Sequence, residues 1–253
     1  MRHTTYTGKV LYLTDGIGEE GREHFSISIQ PDQSRTLRAV CEMDNDRLIR
    51  DVVYSLDGQW RPLECFVRLT QNEIFYGSAT FRFFDDRVEC NGLSSTDGPV
   101  AMVDPVPMRV PSFGAHPICC DTWHAKAADL RRGGAKTVHV PNIAMSSPLP
   151  NGGSGPATSF VDLDVDCVGE ESVTTPAGTF TCKHFRNHGR RPGKPRPPVE
   201  IWAWSDDFIP VRARWELLHQ TYELVELRKT EARRETGGAD SLTRMNDYLA
   251  RIS

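Results

Sequence analysis

Strand-like runs and turn signals alternate with near-metrical regularity through residues 1–100. Lys9–Thr14, Glu23–Gln30, Arg35–Glu42, Leu48–Leu56, Leu63–Leu69, Ile74–Phe84 and the shorter Arg87–Gly92 read as strands. Between them stand Asp15-Gly16, Pro31–Ser34, Asp44–Asp46, Asp57-Gly58 and Asp85-Asp86, residue types that favour tight turns. Strands at this spacing predict an all-β meander. Several runs alternate with period two. Phe75, Gly77, Ala79, Phe81 and Phe83 share one face, opposite Tyr76, Ser78, Thr80 and Arg82. Leu63, Cys65, Val67 and Leu69 oppose Glu64, Phe66 and Arg68 in the same way. Such a sheet has one face in a core and one accessible.

The middle is less regular. Pro105, Pro107 and Pro111 break the chain, and Cys119–Arg132 then predicts the one substantial helix inside the fold, with Gly133-Gly134 as its stop. Residues 146–157 are a loop by composition. Phe160–Val168 and Val173–Arg186 return to strands, and further strand-like runs lie within Val199–Leu224. The expected domain is residues 1–227, a mainly β curved antiparallel sheet or incomplete barrel with one internal helix. Residues 228–253 are expected to be a charged tail, in which Leu242, Met245, Leu249 and Ile252 space like one face of a short helix, a docking or subunit contact.

The segments Val173–Phe185 (VTTPAGTFTCKHF), Ile201–Glu216 (IWAWSDDFIPVRARWE) and Thr221–Leu227 (TYELVEL) resemble the bacterial family described as domain of unknown function 3108. That resemblance implies a strongly curved antiparallel sheet, similar to the half-barrel of the lipoprotein carriers LolA and LolB, wrapped around a helix-filled or ligand-filled concavity. It implies almost nothing about activity.

Composition removes several function classes. The formal charge of −4 over 253 residues supplies no basic field for nucleic acid or an anionic membrane. No apolar run is long enough for a transmembrane helix. Seven cysteines without a regular framework, behind an N-terminal run that lacks an apolar signal region, point to a reducing cytoplasm. No dinucleotide fingerprint, P-loop, GxSxG elbow or HExxH occurs, so neither a cofactor nor a metal is expected.

Three constellations could carry chemistry. His116, Asp121, Trp123 and His124 cluster where a loop enters the helix. Histidine suits proton transfer near neutral pH, and a carboxylate beside it can fix its tautomer. Phe180, Cys182, His184, Arg186 and His188 share a strand face, a pattern too polar for a dry core. Trp202 and Trp204, two positions apart, form a flat wall. Tyr54, with Phe66 and Tyr76, extends this platform, and Arg68, with Arg50 and Arg82, offers guanidinium forks for a carboxylate. The expected function is a cofactor-independent lyase or isomerase acting on a small aromatic or phenolic molecule, for instance by a formaldehyde-releasing or dehydrating cleavage. His116 or His184 would move the proton and Asp121 would orient it. Arg186, Trp202, Trp204, Tyr54, Arg68 and Trp123 would bind the substrate. The alternatives are a non-catalytic carrier of a hydrophobic ligand and a structural protein that forms a homo-oligomer.

Overall fold

The computed structural model describes residues 3–149, 151–190 and 197–232. Fifteen strands form one sheet in the order β8-β7-β6-β5-β4-β3-β2-β1-β15-β14-β13-β12-β11-β10-β9. Two meanders therefore run outward from the centre, where the first strand, β1 (Thr4–Thr14), pairs antiparallel with the last, β15 (Gln220–Glu231). The first meander continues through β2 (Gly18–Ile29), β3 (Arg35–Met43), β4 (Leu48–Leu56), β5 (Pro62–Gln71), β6 (Ile74–Phe83), β7 (Arg87–Ser94) and β8 (Gly98–Pro105). The second comprises β9 (Phe113–Gly114), β10 (Thr137–Met145), β11 (Ser159–Thr175), β12 (Gly178–Arg190), β13 (Val199–Trp204) and β14 (Ile209–Trp215). Strands β8 and β9 are the open edges.

The period-two pattern decides which face is inside. On β4, Leu48, Arg50, Val52, Tyr54 and Leu56 are buried while their neighbours are more exposed. Cys65, Val67 and Leu69 of β5, and Ala79, Phe81 and Phe83 of β6, continue that inner face. The sheet curls around α1 (Ile118–Asp129), the one α-helix among the described residues, which packs against β9, β10, β11, β13 and β14. Trp123 of α1 meets Tyr54 at 5.4 Å between ring centroids, and Phe113 meets Tyr54, Phe81 and Phe83. The bore is thus filled by protein. Each fully buried large apolar side chain of this kind contributes about 1.5–3 kcal/mol.

The mainly β class, the curved sheet and the internal helix agree with the sequence. Some details differ, among them β8 and β10, which were not expected as strands. The runs expected as two strands, Phe160–Val168 and Val173–Arg186, are regrouped: β11 runs unbroken to Thr175, with a bulge between Cys167 and Gly169 where Gly169 takes φ +146. That bulge bends β11 so that its far end, with β12, folds over the outer face of the sheet, where Arg212 Nη2 donates to Thr174 O at 2.9 Å. β15 runs to Glu231, past Leu227, because its last residues still pair with β1. The expected C-terminal helix lies outside the described residues.

Candidate functional site

The inner face of β2 reads Gly21, Glu23, Phe25, Ile27, Ile29, so a carboxylate occupies a core position. Glu23 is completely buried. Its Oε2 accepts from the Ile118 N–H at 2.7 Å and the Tyr12 hydroxyl at 3.1 Å, with the Cys41 thiol at 3.9 Å. The first turn of a helix leaves N–H groups without acceptors. The N-cap position of α1 is Pro117, which offers no side-chain acceptor, and Glu23 supplies one from across the bore. Its other oxygen, Oε1, has no hydrogen-bond partner. Burial raises the Glu23 pKa, and its donors only partly offset this.

Asp121 belongs to the same first turn and retains a little solvent access. It is otherwise enclosed, and no described residue donates a hydrogen bond to it. Desolvation, reinforced by the nearby Glu23 charge, pushes its pKa up to about 7. Tyr12 and Tyr222 close the space edge to face at 4.9 Å. Burial raises the pKa of both phenols, so they remain hydrogen-bond donors at neutral pH. Tyr222 donates to Gln220 Oε1 at 2.7 Å, and Asp46 accepts from Asn151 Nδ2 at 2.8 Å.

The rim is held by Arg50, which is fully buried on β4 and pairs with no carboxylate among the described residues. Its Nε donates to Ala115 O at 2.7 Å, Nη1 to Gly152 O at 2.6 Å and Nη2 to Ser146 Oγ at 2.5 Å. One guanidinium therefore ties the loop before α1 to the 146–157 loop. Gly152, at φ +73, must be glycine, because a Cβ there would collide with the Arg50 guanidinium. His116, at φ +74, sits beside the same position, its Cδ2 2.9 Å from where that Cβ would lie.

The residues singled out from sequence are divided among three places. His116 lies beside Gly152 and Arg50 at the rim, and Asp121 lies in the first turn of α1 near Glu23. Tyr54 and Trp123 are buried in the core beneath it, at 0% and 2% exposure, so they are walls and not an open platform. Tyr54 was expected on an accessible face; the alternation of β4 puts it, with Arg50, on the inner one. His184, Arg186, Trp202 and Trp204 are on the outer face, opposite the core residues Phe185, Ile201 and Ala203. There His184 stacks on Trp202 at 4.3 Å, with Glu171 Oε1 2.9 Å from Nδ1 and Glu200 Oε2 2.8 Å from Nε2. Arg186 binds the other oxygen of Glu200 at 3.1 Å, and Trp204 packs on Phe180. Arg68 is exposed on the outer face of β5, over the ring of Phe75. The sheet itself separates these groups from Asp121, so they form no common concavity with it. His124 is buried, with Nδ1 2.7 Å from Ser112 Oγ, and burial lowers its pKa to about 4.

Glu23, Tyr12 and Tyr222 were missed from sequence. For Glu23 the signal was present, as an acid on the apolar face of an alternating strand.

No family model matches the chain, and neither does any curated protein. A solved structure does. The chain shares a barrel-like β fold with a beta-barrel-like protein of domain of unknown function DUF1849 from Brucella abortus. The TM-score is 0.56 at 10% identity, over 90% of this chain and 98% of that one. At this identity the likeness speaks for fold alone. It supports the barrel-like architecture and does not reach the 3108 family or the LolA and LolB carriers in particular.

Proposed function

We propose that the chain is a cofactor-independent acid–base enzyme, an isomerase or lyase, whose proton-transfer group is Asp121 at the mouth of the barrel. The observation that carries this reading is a carboxyl enclosed in the first turn of α1, with no hydrogen bond from a described residue and still reached by solvent, near a buried carboxylate with an unused oxygen; burial and the Glu23 charge push its pKa up to about 7. A general acid or base works best when its pKa lies near the working pH, and perturbed groups of this kind concentrate at functional sites. In its ionised form Asp121 accepts a proton from the substrate. In its neutral form it returns the proton to a different atom, which is isomerisation, or to a departing group, which is elimination. Tyr12 and Tyr222 supply aromatic walls suited to a small aromatic or phenolic substrate, and His116 stands at the rim as a second proton carrier.

The carrier reading has less support. An acyl chain in the bore would have to displace Phe113, Trp123 and Tyr54, which pack against one another. The test is incubation of the purified protein with neutral phenolic and aromatic alcohols and ketones, followed by product analysis. Conversion by the wild type, lost in Asp121→Asn and kept in His184→Ala, is expected. Conversion that survives Asp121→Asn would refute the assignment.

A further inference from the structure

Toward the other end of α1, cations gather on a cluster of aromatic rings. Trp60 lies in the turn between β4 and β5, with Trp123 at 6.0 Å and Phe208 at 6.3 Å between ring centroids. Three cations gather on these rings. Arg35 Cζ is 3.9 Å from the Trp60 centroid. Lys126 Nζ is 4.6 Å from that of Phe208 and 5.2 Å from that of Trp60, and Lys183 Nζ is 5.2 Å from Phe208. Arg35 and Lys126 are 5% and 8% exposed, so water cannot fully solvate either head group.

Their donors are incompletely used. Arg35 Nη1 donates to Gln33 O at 2.5 Å, and Nη2 reaches Asp207 Oδ1 only at 3.4 Å. Its Nε–H is buried without an acceptor. The Lys126 ammonium is 3.9 Å from Asp129 Oδ2, too far for a hydrogen bond, and donates to no described residue. Lys183 holds that same oxygen at 3.2 Å. Asp207 already accepts from Tyr6 at 2.9 Å, and Asp206, 3.9 Å from Lys183, is almost wholly exposed. An unsatisfied buried cationic donor costs more than a neutral one, and the Arg35 Nε–H is such a donor. The pKa of Lys126 is lowered, chiefly by burial, with Lys183 and Arg35 adding repulsion against the attraction of Asp129 and Asp206.

We propose that this end of the barrel binds a small oxyanion, a carboxylate or phosphate group, received by Lys126 and Lys183 with the Arg35 Nε–H as a third donor. The shared Asp129 oxygen keeps the two ammonium groups close enough for one bridging group to meet both. An anion of this kind supplies an acceptor to the Lys126 ammonium and to the Arg35 Nε–H. The aromatic rims favour one attached to an apolar body.

Titrations with benzoate and with inorganic phosphate at constant ionic strength, read by thermal shift, test this directly. A saturable rise in Tm with at least one probe is expected. Benzoate alone assigns a carboxylate, and phosphate alone a phosphoryl group. Lys126→Met should weaken binding at least tenfold, and Asp121→Asn should leave it unchanged, because the site is independent of the acid–base mouth. Should Lys126→Met fail to fold, the Trp60 indole NMR signal of the wild-type protein must move along the same binding curve. No saturable shift with either probe, an unmoved Trp60 signal, or wild-type affinity in a folded Lys126→Met protein overturns the proposal.

Discussion

Replacing Asp121 with asparagine separates its charge from its shape. The folded protein holds the Asp121 proton up to a pKa of about 7, whereas the ordinary value is 3.8. Below the unfolded value both states are protonated and the group has no effect. As pH rises above it, the unfolded chain releases the proton while the folded one retains it, so wild-type stability falls until the folded group ionises near neutrality. Full desolvation over that interval would cost roughly 4 kcal/mol, at about 1.36 kcal/mol per pKa unit. Asp121 keeps some solvent contact, and water drawn in on ionisation reduces the penalty, so about 2–3 kcal/mol is expected. Asparagine does not titrate. Urea unfolding of both proteins between pH 4 and pH 8 should therefore show the Asp121→Asn protein gaining on the wild type as pH rises, with the difference levelling above pH 7. Parallel stability curves across that range would refute an elevated Asp121 pKa and the proton-transfer role built on it.

Other perturbations follow from the same contacts. Glu23→Ala removes the acceptor for the Ile118 N–H and the Tyr12 hydroxyl, and should cost roughly 2–4 kcal/mol of stability by denaturant unfolding. Arg50→Met unties the two loops of the rim, and hydrogen exchange should speed up selectively at residues 113–118 and 146–155. Gly152→Ala meets both a positive φ and the Arg50 guanidinium, so a loss of at least about 1 kcal/mol in thermal or urea unfolding is expected. His184→Ala strips Glu171 and Glu200 of their shared partner on the outer face; it should lower Tm while leaving any Asp121-dependent turnover intact.

The fold was more legible than the site, for physical reasons. Turn residues and period-two alternation are local, and they located Leu48–Leu56 to the residue. The bulge at Gly169, a single extra residue, disguised the length of β11, and β8 and β10 were not expected as strands. The site depends on which face of each strand turns inward, and an isolated polar-aromatic strand such as β12 does not reveal that. His184 and Trp202 looked like a cup lining, yet they lie on the outer face, where Glu171 of β11 meets both. The more useful signal is a charged side chain at an apolar-face position. Glu23 on β2, Arg50 on β4 and Arg35 on β3 all break their strand's inner pattern, and each marks an end of the bore where polar chemistry gathers. Asp121 was identified from its place at the head of the helix. Its partner Glu23 is nearly a hundred residues away, joined to it only by the curl of the sheet.

The account turns on the protonation of Asp121, and carboxyl NMR of protein carbon-13 labelled at aspartate and glutamate measures it residue by residue. A midpoint near 7 for Asp121, falling when Glu23 is replaced by glutamine, is the predicted result. A midpoint in the ordinary carboxylate range, unmoved by Glu23→Gln, would contradict it.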